Sequence, residues 1–247
     1  GMRPVSSKII FVSPDEKLTE RAREVIEDTG DLIDVYQGSL SDGVIIARQA
    51  VENGARIIIS RGGTGNLIKK NLQVPVVKVE ISGYDIIHAV TRSMENASVI
   101  GVVGFDNLVS SAQSISEIMN KYFKIRILTA VVKAERDVEK QMEQLYAQGA
   151  RGFVGGITVV STATHRFNCQ GVLLESGREA ITEAIREAKH VLEVQAEEQE
   201  KAELMKSIID FAYDGIIGID HQGAITVFNP IAEKIVGVRS EDVIGKP

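Results

Sequence analysis

The sequence predicts an α/β protein: two lobes built on doubly wound parallel sheets, then a long helix and a short α+β segment. Three observations predict it. Short apolar runs alternate with amphipathic stretches from Lys8 to Leu192, as in parallel sheets covered on both faces. The alternation falls into two groups of about four strands each, with a break near Asn96. A helical pattern then runs from near Gly177 to about Asp210 without a stop signal. One larger sheet is the alternative to two lobes.

The first group opens with the apolar run Lys8–Val12, and Ser13-Pro14-Asp15-Glu16 reads as a capping box with proline at the first helical position. Leu32–Tyr36 is the second strand, followed by the amphipathic run Gly43–Val51. Ala55–Ser60 and Val74–Val79 are the third and fourth strands, and after Ser82-Gly83 a helix spans about Tyr84 to Met94. The second group begins at Ala97–Val103 and closes that strand on Gly104. Ser110 with Gln113 reads as a capping box before Ile115–Met119. Lys124–Thr129 is a strand, Asp137–Gln148 a helix, and Gly152–Val154 a short strand ended by Gly155-Gly156. Thr158–Phe167 reads as a helix and Gly171–Leu174 as the last strand, with Ser176 and Glu179 capping the long helix. Each lobe is thus expected to be Rossmann-like or flavodoxin-like.

The long helix carries Ile181, Ile185, Ala188 and Leu192 on one stripe, which suits packing on the second lobe. Gln195–Lys201 is almost wholly polar and reads as a spacer, after which Leu204, Ile208 and Phe211 resume. Beyond the helix the period changes to two: Asp214–Asp220, a turn at His221-Gln222-Gly223, then Ala224–Phe228. Asn229-Pro230 starts the short helix Ile231–Val236, and the chain is expected to end inside this domain. Gly1 ahead of Met2 reads as a tag-cleavage scar.

The 247 residues suffice for more than one core. A net charge of −6 argues against a broad nucleic-acid surface. No apolar run reaches the roughly 18 residues of a membrane span, and the single Cys169 has no disulfide partner within the chain, so the expected compartment is the cytoplasm. His88, His165, His190 and His221 are scattered, with no H-E-x-x-H or Cys/His cluster, so neither metal nor other cofactor is expected. Cys169 reads as a buried small apolar residue.

The most informative segment is Ser60-Arg61-Gly62-Gly63-Thr64, where a buried strand turns into a helix. A helix start exposes backbone N–H groups without intrahelical partners, and Arg61 adds a fixed positive charge, a combination suited to a small carboxylate or phosphate. Gly65 is not followed by the Lys-Ser/Thr of a nucleotide-binding phosphate loop. The strand also ends in Ser60-Arg61 where a receiver domain needs its phosphorylatable aspartate, so the acidic Asp15-Glu16 pair does not make it one.

Residues from about Ile9 to Ala188 resemble the N-terminal sensor of the propionate-catabolism activators (PrpR-type). The resemblance rests on Ser60–Thr64, on Val79-Glu80-Ile81-Ser82-Gly83-Tyr84-Asp85, on Gly101–Gly104 and on Gly171–Gly177. Residues from about Ala202 to Pro247 resemble the opening of a PAS domain, through Asp214–Asp220, Gly223, Ile225, Asn229 and Glu241–Lys246. Sensor and PAS in this order are typical of bacterial sigma-54-dependent transcriptional activators, in which an ATPase and a helix-turn-helix domain follow. The resemblance therefore implies contacts with DNA and with sigma-54 RNA polymerase through domains not in this chain, and ligands such as 2-methylcitrate. The expected organisation is residues 2–96 and 97–188 as sensor lobes, 189–210 as a signalling helix, and 211–247 as the truncated PAS domain.

Ligand-binding residues are expected at the carboxyl ends of the strands, where loops of both lobes converge. Arg61 is either a bidentate clamp on a carboxylate or one half of a local salt bridge. Gly62 and Gly63 supply positive φ or close approach to the ligand, and Thr64 caps its helix or shares its hydroxyl with the ligand. Ser82, Gly83 and Tyr84 follow the fourth strand on the same edge, with Tyr84 either at the lobe interface or on the ligand. Gly104, Gly155, Gly156 and Thr158 occupy the corresponding edge of the second lobe, and Ser13 is an N-cap or faces the ligand. No catalytic pair converges, so the expectation is a non-enzymatic sensor of a small organic acid. It is expected to dimerise through the long helix and the PAS segment, without a membrane partner. An isomerase or lyase of hydroxy acids on the same scaffold is the alternative.

Overall fold

The computed structural model describes residues 7–104, 106–133 and 135–247, so the expected scar at Gly1-Met2 lies outside the described residues. The chain divides into two compact units, one reaching Lys189 and the other running from His190 to Pro247.

The first unit contains β1 (Ile9–Ser13), α1 (Glu16–Thr29), β2 (Ile33–Gln37), α2 (Leu40–Glu52), β3 (Ile57–Ser60), α3 (Gly62–Asn71) and β4 (Val76–Lys78). Then come α4 (Gly83–Ser93), β5 (Val99–Gly104), α5 (Asp106–Phe123), β6 (Arg126–Val131), a 3₁₀ turn (Glu135–Asp137) and α6 (Val138–Ala147). β7 (Gly152–Gly155), α7 (Ile157–Phe167), β8 (Gln170–Leu173) and the first part of α8 (Arg178–Asp210) complete it. The strands form two separate four-stranded sheets, β2-β1-β3-β4 and β6-β5-β7-β8, with parallel pairing throughout. The two lobes predicted from the alternation are therefore distinct sheets, and they repeat one winding order.

On one face of the first sheet, Ile10, Val12 and Ile58 pack with Val44, Ala47 and Ala50 of α2 and Ile68 of α3. Strand periodicity sends Ile9, Phe11, Ile57 and Ile59 to the other face, where all are buried. α1 turns Leu18, Ala22, Val25 and Ile26 inward. The first part of α8 buries Ala180, Ile181, Ala184, Ile185 and Ala188. Its polar anchors lie in the first lobe: Arg178 on Asp28 and Lys189 on Asp31, both at 2.7 Å.

In the second lobe, Ile100, Val102, Val154 and Val172 pack with Ala112 and Met119 of α5 and with Ile86, Ala89 and Val90 of α4. The opposite face holds Val103 and Phe153 against Val138, Met142 and Leu145 of α6 and Val159 and Ala163 of α7. A Cβ on Gly171 would stand 2.6 Å from the Val160 Cα, so α7 lies directly on the β8 backbone. Each fully buried Ile, Leu or Phe contributes about 1.5–3 kcal/mol.

Two helices thus sit differently from their grouping in the sequence. α4 follows the fourth strand, yet packs on the second sheet. The start of α8, expected on the second lobe, is tied to the first.

Several expected caps are replaced. α1 is capped by Asp15, whose side chain accepts from the Leu18 N–H, while Pro14 precedes the helix and the Ser13 hydroxyl donates to the Asp15 carbonyl. Ser110 is interior to α5, because the helix already begins at Asp106. The buried Ser176 hydroxyl caps nothing and has no hydrogen-bond partner; the Gly177 N–H just before α8 donates to Asp85 instead.

The second unit comprises the later part of α8, the antiparallel pair β9 (Ile217–Ile219) and β10 (Ile225–Phe228), then α9 (Pro230–Val236) and α10 (Ser240–Val243). Asp220 Oδ1 accepts from the N–H groups of Gln222 and Ala224, and Gly223 takes a φ of 84°, which closes the turn. Asn229 organises this unit. It is 1% exposed, accepts from the N–H groups of Ile216 and Ala232, and donates to the carbonyls of Ile209 and Asp214. Both halves of the amide are therefore satisfied.

Asn229→Ala is expected to destabilise the second unit by about 3 kcal/mol, because four backbone groups lose their partner; thermal unfolding followed by circular dichroism measures it. Asp31 gives a second test. The hydrogen bond from Lys189 holds its carboxyl below the ordinary range, with help from Thr29 and against desolvation. A depressed carboxylate contributes stability that is complete above its unfolded value of about 3.9 and disappears as pH falls through the folded value. Lys189→Gln is expected to flatten the acid-side fall of the urea midpoint; an unchanged slope would contradict the anchoring role of the pair.

Candidate functional site

The carboxyl ends of β1 and β3 bring the first group of candidate residues together. Ser13 ends β1 fully buried. Asp15 uses one carboxylate oxygen to cap α1, and its other oxygen accepts from Arg61 Nη2 at 3.0 Å. Arg61 occupies the N-cap position of α3 in extended conformation, with no side-chain cap bond. The ion pair is open to solvent, 29% exposed on Arg61 and 42% on Asp15. Such a pair contributes about 0–1 kcal/mol, so an arriving anion displaces it at small cost.

Gly62 and Gly63 form the exposed first turn of α3. Only Gly62 needs glycine conformationally, at φ 55°; Gly63 is not at positive φ, and a Cβ there would meet nothing closer than Leu40 Cδ2 at 3.6 Å. The first N–H groups of this turn have no intrahelical acceptor, and the helix dipole favours negative charge beside them.

Thr64 is buried, and its hydroxyl accepts from the Leu40 N–H at 2.9 Å. It thus holds the start of α2 rather than capping its own helix. A Cβ on Gly43 would lie 2.5 Å from Thr64 Cγ2, so α2 and α3 are pressed together here.

Two neighbours were not among the expected site residues. Ser60 is fully buried at the end of β3, and its hydroxyl has no hydrogen-bond partner. Lys78 ends β4 and lays its aliphatic stem along the backbone at Gly65, placing a second cation beside α3, with its ammonium 3.2 Å from Asn66 Oδ1. The available signal was a lysine inside the otherwise apolar run Val76-Val77-Lys78-Val79.

Ser82 N-caps α4 in a capping box with Asp85, so its hydroxyl is engaged. Gly83 is exposed, and Tyr84 is 61% exposed rather than packed between lobes. In the second lobe, Gly104 ends β5 and Gly155 ends β7. A Cβ on Gly155 would stand 2.7 Å from the Val103 carbonyl oxygen, so this glycine permits close approach of strands. Gly156 N-caps α7 without a side chain, Ile157 is exposed and Thr158 half-buried. Aligning the ends of β3 and β7 sets Arg61-Gly62-Gly63-Thr64 against Gly156-Ile157-Thr158-Val159, and the buried Thr64 corresponds to the buried Val159.

All twelve expected residues therefore lie at carboxyl strand ends, at the helix starts that follow them, or on the crossover between lobes. A shallow concavity lined by Arg23, Ile26, Glu27, Gly30 and Asp31 lies elsewhere, at the end of α1 and along β2. Cys169, expected to be buried, is only half-buried at the margin of the second core; desolvation pushes its thiol up, with Arg151 opposing. Among the described residues no group of three His, Cys, Asp or Glu side chains is placed to hold a metal ion. No helix among them is long and apolar enough to cross a membrane.

Comparison with known proteins identifies both parts. Residues 28–198 match the profile of the propionate catabolism activator family, and residues 203–247 match the PAS fold. Among solved structures, an NtrC family transcriptional regulator from Clostridium acetobutylicum superposes with a TM-score of 0.58 at 21% identity, covering 77% of this chain and 99% of that one. This likeness is one of fold.

Among curated proteins, the signal transduction histidine-protein kinase AtoS of Escherichia coli (strain K12) is 48% identical over 40 residues, 16% of this chain and 7% of that protein. The sensor protein kinase WalK of Staphylococcus aureus is 38% identical over 58 residues, 24% of this chain and 14% of that protein. The chain thus spans only a small part of the length of the kinases it matches. Two four-stranded parallel α/β lobes and a family match across more than half of the residues lead to one assignment: the chain belongs to the propionate catabolism activator family and carries its sensor region, followed by the opening part of a PAS domain.

Proposed function

We propose that this regulatory region senses a small organic acid bound between the two α/β lobes of its first unit. The observation that supports this reading best is the first turn of α3: exposed Gly62 and Gly63 offer free backbone N–H groups beside Arg61, at the carboxyl edge of the first sheet. A carboxylate entering there exchanges the solvent-open Asp15 for itself on the guanidinium and gains the helix N-terminus. Lys78 adds long-range attraction. Gly104, Gly156 and Thr158 supply the opposing edge, and Ser82, Gly83 and Tyr84 its side.

Ligand shifts the lobes only to the extent that it binds one arrangement more tightly than another. The continuous α8 carries the change toward the PAS segment and, in the whole protein, onward to an ATPase, DNA and sigma-54 RNA polymerase. The protein acts as a binder and not as a catalyst: the side chains around the α3 turn are the Arg61–Asp15 ion pair, Lys78, glycines, the engaged Thr64 hydroxyl and the buried Ser60 hydroxyl, with no acid–base pair aimed at one point among the described residues.

The second unit supports a homodimer through α8 and the PAS segment. Val194, Leu204 and Ile208 of that unit's helix, and Phe211 just beyond its end, are 41%, 60%, 58% and 85% exposed. Their spacing fits one seam of a left-handed coiled coil, interrupted by Glu197 and Lys201.

A thermal-shift screen of mono-, di- and tricarboxylates tests the site. A ligand at about 100 times its Kd stabilises by about 2.7 kcal/mol, which raises the Tm by several degrees. Arg61→Ala is expected to abolish that rise, and an undiminished rise in the variant would refute the site. Sedimentation equilibrium at micromolar protein is expected to give twice the chain mass, reduced to the single chain by Ile208→Glu; a monomer in the unsubstituted protein would refute the dimer.

A further inference from the structure

Among the described residues the chain crosses from the first sheet to the second once, from β4 through α4, and α8 crosses back to the first lobe after β8, where Arg178 and Lys189 pair with Asp28 and Asp31. Both crossings meet at one buried carboxylate. Asp85, the third residue of α4, is 6% exposed. Its Oδ2 accepts from the Ser82 N–H at 2.9 Å, and its own N–H donates to the Ser82 hydroxyl at 3.1 Å. Its Oδ1 accepts from the Gly177 N–H at 3.0 Å, immediately before α8. A Cβ on Gly177 would stand 2.7 Å from that same oxygen, so the second crossing runs hard against the carboxylate.

From the other side, α1 holds the same short segment. Arg21 donates to the Ser176 carbonyl at 2.6 Å, and Lys17 pairs with Glu175 at 3.3 Å. Glu175–Gly177 is therefore gripped by a helix of the first lobe and by α4, which packs on the second sheet.

We propose that Asp85 is the positioning residue of the hinge between the lobes: its carboxylate joins the start of α4 to the start of α8 and sets the resting arrangement of the two sheets. Two helix N-termini each present partial positive charge and unsatisfied N–H groups. One ionised side chain bridging both makes two charge-assisted bonds. Any rotation of one lobe against the other turns about these crossings and strains the bridge. The proposal rests on the reading of the first unit as a two-lobed sensor, but it concerns the ligand-free protein.

The test uses the whole chain without ligand, in a Cys169→Ser background, spin-labelled at cysteines replacing the exposed Lys69 of α3 and Thr164 of α7. Asp85→Ala is expected to broaden and shift the interlobe distance distribution. It should also speed amide exchange from Gly177 to Ile181 by about tenfold or more. Ser82→Ala, which removes the local cap of α4 but keeps the bridge, is expected to leave both readouts at wild-type values. Should Asp85→Ala fail to fold, Gly177→Ala displaces the carboxylate without removing it and must broaden the distribution likewise.

An Asp85→Ala or Gly177→Ala distribution superimposed on the wild type overturns the proposal, as does equal broadening in Ser82→Ala. The carboxylate screen is read separately. A shifted distribution with no binder leaves the hinge standing, and a binder with an unshifted distribution overturns the hinge alone.

Discussion

A parallel sheet flanked by crossover helices has two apolar faces to remove from water, and the repeated strand–helix winding of each lobe does not by itself close both. The chain completes the second sheet with α4, which joins α5 over Ile100, Val102 and Val154. It sends α8 back toward the first lobe, where Arg178 and Lys189 anchor beside α1. The second lobe thus depends on a helix delivered by the edge strand of the first, and the helix delivered by the edge strand of the second is tied back to the first lobe by ion pairs. That exchange is the constraint from which the other features follow: the doubled crossing, the buried bridge at Asp85 and the placement of strand ends beside the crossings.

The candidate site inherits its character from the same arrangement. Side chains near the carboxyl ends divide between those that hold the scaffold and those left open. Thr64, Ser82 and Asp15 are spent on helix starts, while Gly62, Gly63, Gly83, Tyr84 and Gly156 are exposed. The correspondence of Thr64 with Val159 shows the division plainly, since both are buried at the same point of the winding and only Thr64 adds a hydrogen bond. Arg61 sits between the two classes, held by Asp15 but open to water.

Much of the fold was legible in the chain because period and punctuation are local. Apolar runs such as Ile57–Ile59 and Gly152–Val154 declared buried strands, and the pairs Gly62-Gly63 and Gly155-Gly156 marked where they end. Capping was less legible. Ser13, Ser110 and Ser176 each head a plausible box, yet a nearby residue or a distant carboxylate took the role or the helix began earlier. A capping motif states that a hydroxyl is available, while competition among partners decides who uses it. The candidate site was legible at Arg61 and its glycines, and opaque at Lys78, which acquires meaning only when β3 and β4 lie side by side.

By itself, then, the sequence determined the α/β class, the duplicated alternation, the strand–turn–helix at Ser60–Thr64 and the change of period after α8, because hydrophobic spacing and turn chemistry act over a few residues. Only the tertiary structure decided which sheet receives α4 and α8, which donor completes each helix start, and that Asp85 spans two crossings 92 positions apart. Those outcomes depend on which apolar faces remain uncovered once the sheets have formed, a property of the assembled lobes that no local pattern encodes.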